Sequence, residues 1–156
     1  MYIYRSASPD DTYRLARRLG RIVKGGTLIA LEGELGVGKT LFVKGLAAGL
    51  GAAEAVTSPT FMLLRLYEGR LTLAHFDVYR LPSPEAIEEL GYEEYFYGPG
   101  ITAVEWSDLI NSYLPKEYLQ VQIRRKYLPD TGEIRIITMI PHGEAMEALL
   151  KEIQET

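Results

Sequence analysis

The sequence predicts a three-layer α/β sandwich with parallel central strands flanked by antiparallel ones. Three observations carry that prediction. Apolar runs of strand length alternate with stretches of helical period along the chain. Two pairs of strand-like segments are joined by turn residues, Gly69-Arg70 and Pro129-Asp130-Thr131-Gly132, which makes hairpins beside a parallel centre. The apolar run from Leu28 to Leu31 leads into a glycine-rich loop and then into a helix, an order that puts the loop at the carboxyl end of a buried strand.

Taken in order, residues 1–5 alternate as an edge strand would. Ser8-Pro9-Asp10-Asp11 starts a helix: a hydroxyl cap, a proline at the first helical position and two acids facing the dipole. Tyr13, Leu15, Ala16, Leu19, Ile22 and Val23 keep its period, and Gly25-Gly26 ends it. The core strand, the loop and a second helix follow, with Gly51 as its C-terminal cap. Residues 61–68 and 71–79 form the first hairpin, and Ser83-Pro84-Glu85 opens a short helix to about Leu90. Residues 91–100 are aromatic and acidic and close on turn residues. Ile101 to Glu105 is a short apolar strand, and 108–113 a helical turn stopped before Pro115. Residues 118–127 and 133–140 alternate as the second hairpin, and an amphipathic helix runs from Glu144 to about Gln154. No repeat or linker divides the 156 residues, so one domain spans 1–156.

Gly33, Gly36, Gly38, Lys39 and Thr40 spell G-x-x-x-x-G-K-T, the Walker A pattern of a P-loop. A triphosphate is held there by backbone N–H groups that converge on it and by the positive end of the following helix. Glycines let the backbone come close and take φ > 0. Lys39 is placed for the β- and γ-phosphates and Thr40 for Mg²⁺. The stretch Glu34, Leu35, Gly36, Val37, Gly38, Lys39, Thr40 and Leu41 is thus the expected nucleoside-triphosphate-binding segment of a P-loop NTPase sandwich, which the resemblance given below makes ATP-binding.

Such a site needs a further acid for Mg²⁺ or its water shell, and a group to orient the attacking water. Two acids end apolar strands, Asp77 in Leu-Ala-His-Phe-Asp and Glu105 in Ile-Thr-Ala-Val-Glu. Both are expected catalytic and metal residues, with Lys39 and Thr40; which acid serves Mg²⁺ more directly is open in the sequence. Val56-Thr57-Ser58-Pro59-Thr60 lies where a switch-like loop would read the γ-phosphate, though a Ser-Pro turn has the same pattern. Trp106, the only tryptophan, either packs on the nucleotide or belongs to the core. His75 reads as a packed strand histidine, Arg80 as an arginine finger in cis or an ion-pair partner, and Arg124-Arg125-Lys126 as a solvated strand face.

Composition excludes several classes. With 17 basic and 21 acidic residues the net charge is −4, which argues against direct binding of DNA or tRNA. The absence of cysteine excludes disulfides, thiolate metal sites and thiol nucleophiles. No apolar run approaches a membrane span, so no membrane partner and a cytoplasmic location are expected.

Gly-Glu-Leu-Gly-Val-Gly-Lys-Thr at 33–40, Thr-Ser-Pro-Thr-Phe at 57–61, His-Phe-Asp-Val-Tyr-Arg-Leu at 75–81 and Val-Glu-Trp at 104–106 stand in this order and spacing. Together they closely resemble the bacterial TsaE (YjeE) family, and the resemblance runs from the first helix to the late hairpin. It implies an Mg²⁺-dependent ATPase of tRNA threonylcarbamoyladenosine biosynthesis. Such an ATPase is slow alone and works with the TsaB–TsaD pair, driving or resetting its cycle without being the transferase. By motif position it implies phosphate and Mg²⁺ roles for Lys39 and Thr40, the two acids in Asp77 and Glu105, a switch-like loop in Thr57, Ser58, Pro59 and Thr60, and a tryptophan beside the nucleotide in Trp106. Ser107 departs from the proline that many members have. A small-molecule kinase would need an arginine-rich lid, and the loops here are short. A non-hydrolysing nucleotide sensor would not need both strand-end acids. The partner surface is open between the aromatic segment 91–97 and the face of the loop.

Overall fold

Ser8 marks the point where the first strand gives way to the first helix. Its hydroxyl accepts the Asp11 N–H at 3.2 Å, and the Asp11 carboxylate accepts the Ala7 N–H at 2.9 Å, so the cap is closed from both sides. Strand β1 (Tyr2–Ser6) therefore ends where helix α1 (Pro9–Ile22) begins. We describe the protein from a computed structural model, which covers residues 1–57 and 63–156. Ser58, Pro59 and Thr60 of the expected switch-like loop, and Phe61 and Met62 of the first expected hairpin, lie outside the described residues.

Strand β2 (Leu28–Glu32), helix α2 (Lys39–Gly49), strands β3 (Leu64–Glu68) and β4 (Thr72–Asp77) and strand β5 (Ile101–Glu105) follow the expected order. A 3₁₀ segment, Pro84–Leu90, and helix α3 (Tyr92–Phe96) lie between β4 and β5. A second 3₁₀ segment, Ser107–Tyr113, precedes the long hairpin β6 (Tyr118–Leu128) and β7 (Gly132–His142), and helix α4 (Glu144–Glu155) follows it. Helix α3 was not foreseen: its Tyr92, Tyr95 and Phe96 pack edge-on around Phe76 and Tyr113. Strand β4, expected to reach residue 79, stops at Asp77.

The seven strands form one sheet in the order β1-β7-β6-β2-β5-β4-β3. β6, β2, β5 and β4 are mutually parallel, while β3 joins β4, and β7 joins both β6 and β1, in antiparallel sense. The parallel centre with antiparallel flanks is thus as expected, with β6 of the second hairpin belonging to the centre.

Alternation along the strands divides the core. Ile29 and Leu31 of β2, Leu73 of β4 and Ile101 and Ala103 of β5 face α1, α2 and α4. Leu28 and Ala30, Ala74 and Phe76, and Val104 face Ile87, Phe96 and Ile110 of the opposite layer. By the same parity His75, Asp77 and Glu105 stand on the α2 side.

Helices α1 and α2 touch backbone to backbone. A Cβ on Gly45 would stand 2.4 Å from the Tyr13 carbonyl oxygen, and one on Gly49 2.2 Å from that of Arg17. On the α1 side, one on Gly20 would meet the Leu46 carbonyl oxygen at 2.3 Å. The first hairpin's turn closes the lower end: Arg70 donates from its guanidinium to the Gly20 and Val23 carbonyls, each at 2.9 Å, and from its backbone to Leu50 at 2.6 Å. One turn thereby caps the C-termini of both helices.

Candidate functional site

The loop between β2 and α2 takes the path its glycines permit. Gly36 has φ 74° and Gly38 φ 119°, values that a side chain disfavours, and Gly38 hands over to the first turn of α2. The N-terminus of α2 points at the carboxyl ends of β2, β5 and β4. There a cleft of about 220 Å³ is lined by Leu35, Gly36, Gly38, Lys39, Thr40, Leu41, Asp77, Glu105 and Trp106. The structure thus brings together most of the expected loop with both strand-end acids and the tryptophan.

Asp77 and Glu105 are register neighbours on β4 and β5. Glu105 is buried, and its carboxylate accepts the Thr40 hydroxyl at 2.9 and 3.0 Å and contacts His75 Nε2 at 2.6 Å. His75 is fully buried, and its Nδ1 has no partner among the described residues. The packed strand histidine therefore also fixes the carboxylate beside it. Asp77 is half-buried, and burial raises its carboxyl above the ordinary value against the pull of the Tyr79 N–H, which it accepts at 3.1 Å; the charge of Glu105 adds to the rise.

Lys39 is buried, with Nζ donating to the Gly33 and Glu34 carbonyls at 2.5 and 2.8 Å and lying 3.9 Å from the Trp106 ring centroid. Burial lowers its pKa, opposed by Glu105, Asp77 and Asp108. Trp106 is the only non-glycine residue at positive φ among the described residues, at φ 63° and ψ 36°, a strained backbone that turns its ring over the lysine. Tyr79 lies against the Trp106 ring at 4.6 Å between centroids.

Thr57 stands outside the lining of this cleft, held by Arg65 at 2.8 Å and by the Tyr67 hydroxyl at 3.2 Å. Arg80 is exposed and makes no ion pair among the described residues. Arg124, Arg125 and Lys126 are all exposed, as the expected solvated face requires, but Arg125 is also bonded to Glu34, Glu133 and the Leu35 carbonyl, and Arg124 lines a hollow with Gly33, Glu34 and Trp106 on the other face of β6. A hollow of about 410 Å³ on the other flank of the loop joins Gly36, Val37, Gly38 and Leu41 to Ser6, Ala7, Ser8, Thr12 and Arg135. Sequence reasoning missed it, because Ser8 was legible only as a helix cap and nothing local tied β1 to the loop. Among the described residues no three His, Asp or Glu side chains form a metal cage, and no helix is long and apolar enough to cross a membrane.

A parallel-centred sheet with a glycine-rich loop opening onto a helix N-terminus at its carboxyl edge is a P-loop NTPase-like fold. The family model described as "Threonylcarbamoyl adenosine biosynthesis protein TsaE" matches residues 6–132. A tRNA threonylcarbamoyladenosine biosynthesis protein TsaE of Treponema pallidum is 47% identical over 119 residues, 76% of this chain and 88% of its own. One of Bacillus subtilis is 41% identical over 151 residues, 96% of this chain and 92% of its own. The crystal structure of Bacillus subtilis YdiB superposes with a TM-score of 0.81 at 37% identity, covering 99% of this chain and 94% of that one. The chain belongs to the TsaE family, which takes part in tRNA threonylcarbamoyladenosine biosynthesis.

Proposed function

We propose that this chain is an Mg²⁺-dependent ATPase subunit that drives or resets the cycle of the TsaB–TsaD pair in tRNA N6-threonylcarbamoyladenosine modification. It would act in the cytoplasm, meet tRNA only through that complex and leave the transfer itself to its partners. The observation that supports this reading is the convergence of Lys39, Thr40 and Glu105 at the mouth of one loop, with the Thr40 hydroxyl on the Glu105 carboxylate.

The donor set fits magnesium, which takes one or two protein oxygens and completes its shell with water and phosphate. Thr40 and Glu105, with Asp77 beside them, would hold it. Bound there, the ion would withdraw charge from the phosphate oxygens. Lys39 now spends its donors on two neutral carbonyls; phosphate oxygens are stronger acceptors and would take them over. Glu105, held by His75 and Thr40, would orient a water. Trp106 and Tyr79 shield the lysine side of the cleft from bulk solvent. The hollow between Ser6, Thr12 and Arg135 is contiguous with the loop and suits the base and ribose.

The test is phosphate release from MgATP by the chain alone, with TsaB–TsaD, and by Glu105→Ala. Slow turnover that rises with the pair and is lost in the variant is expected. Absence of turnover under both conditions, despite bound nucleotide, would leave a sensor and refute the ATPase.

A further inference from the structure

Within the phosphate-binding loop, Lys39 bonds the Gly33 and Glu34 carbonyls, which leaves the Leu35 and Val37 carbonyls to be held from elsewhere. Gly33, Gly36 and Gly38 allow the path, but a peptide plane next to glycine turns over easily. Two arginines on the second hairpin touch this loop from outside the cleft of Lys39 and Thr40, Arg135 from the hollow beside it. Arg125 Nη2 donates to the Leu35 carbonyl at 3.2 Å, and Arg135 Nε donates to the Val37 carbonyl at 2.9 Å. In a trans peptide the carbonyl of one residue and the N–H of the next point in opposite directions. A carbonyl of Leu35 held outward therefore aims the Gly36 N–H inward, and a carbonyl of Val37 held outward does the same for Gly38.

We propose that Arg125 and Arg135 are positioning residues that lock these two peptide planes, so that the Gly36 and Gly38 N–H groups face the phosphates before nucleotide arrives. This rests on the reading of the loop as a nucleotide site. Two further observations support it. The arginines are direct partners in the β6–β7 register, an unfavourable like-charge placement. It is relieved by Glu133, whose Oε1 meets Arg125 Nε and Arg135 Nη1 at 3.1 Å each, while Arg125 Nη1 also reaches Glu34 at 3.1 Å. The Arg125 guanidinium also closes over the loop: a Cβ on Gly36 would stand 3.3 Å from Nη2. The planar fork of arginine holds a carbonyl in direction as well as distance, which the rotating ammonium of lysine does not.

The experiment is calorimetric titration of the full chain with AMP-PNP and Mg²⁺, alongside melting temperatures, for wild type, Lys39→Ala, Arg125→Ala, Arg135→Ala, Arg125→Lys, Arg135→Lys and Lys126→Ala. Each arginine-to-alanine variant is expected to bind about tenfold more weakly. The lysine variants should stay weakened, and Lys126→Ala, which removes an exposed charge from the opposite face, should bind as wild type. Wild-type affinity in the arginine-to-alanine variants would overturn the proposal while leaving the nucleotide site standing. Full recovery by lysine would overturn it in favour of charge alone. A loss of affinity that only follows a large fall in melting temperature, and is absent from the lysine variants, would reduce the arginines to hairpin stability. Failure of wild type itself to bind would remove the nucleotide site instead, and with it the premise.

Discussion

Replacing Gly45 by alanine should destabilise the protein, although alanine is the better helix former. The position is buried in the middle of α2, and the new Cβ would lie 2.4 Å from the Tyr13 carbonyl oxygen and 2.8 Å from Ala16 Cβ. A carbon–oxygen contact needs about 3.3 Å, so the helices must part by roughly 1 Å. A backbone carbonyl cannot swing aside as a side chain can. Overpacking costs about 1–3 kcal/mol, and a clash with a backbone oxygen that cannot yield falls in the upper part of that range, about 2–3 kcal/mol; the gain in helix propensity returns about 1 kcal/mol. The net loss of about 1–2 kcal/mol corresponds to a fall in melting temperature of about 2–8 °C for a chain of this size. Thermal unfolding followed by circular dichroism reads it. Lys44→Gly, one residue earlier and exposed, provides the contrast, because there propensity alone acts and glycine should cost about 1 kcal/mol. An unchanged or raised melting temperature for Gly45→Ala would refute the close approach of the helices. The effect matters beyond stability, since α2 carries Lys39 and Thr40 in its first turn.

Asp77→Asn tests the half-buried acid. Its raised pKa means that, just above 3.8, the folded chain keeps a proton that the unfolded chain loses, so wild-type stability falls as pH rises through that window. The asparagine variant should gain most over wild type at neutral pH, with the gap narrowing towards pH 4 in denaturant titrations; a gap independent of pH would contradict this. Arg70→Ala should lower stability by about 1 kcal/mol, because the exposed guanidinium loses its bonds to the end of α1; urea midpoints measure it. Glu105→Gln, which keeps shape and removes charge, should slow phosphate release about 100-fold while calorimetry finds nucleotide affinity within a few-fold of wild type.

Legibility in the sequence followed the range of the interaction. The loop at 33–40, the cap at Ser8 and the acids at the strand ends were readable, because each depends on residues within one turn or one strand of itself. The cleft was legible to the extent that parity and strand ends define it. What escaped depended on partners far along the chain. Gly45 and Gly49 show a helical spacing, but the contacts of Gly45 with Tyr13 and Ala16, and of Gly49 with Arg17 and Gly20, appear only when α1 lies against α2. Arg125 sits in a basic run of three, and the register of β6 on β2 and β7 decides which of them bonds the Leu35 carbonyl. Helix α3 is five residues long, too short for any periodic signal, and forms because its rings fill the face beyond Phe76.

The alternation that sets His75, Asp77 and Glu105 on one side of the sheet also makes the site sensitive to counting. A substitution in β4 or β5 alters one side chain, whereas deletion of one residue inverts every residue that follows it in the strand. Loss of a residue such as Thr102 would send Glu105 into the apolar layer around Phe76 and Ile87 and bring Trp106 to the place that faces Thr40. The two strands thus tolerate exchange of letters far better than a change of length, and insertions and deletions should be confined to the turns that join them.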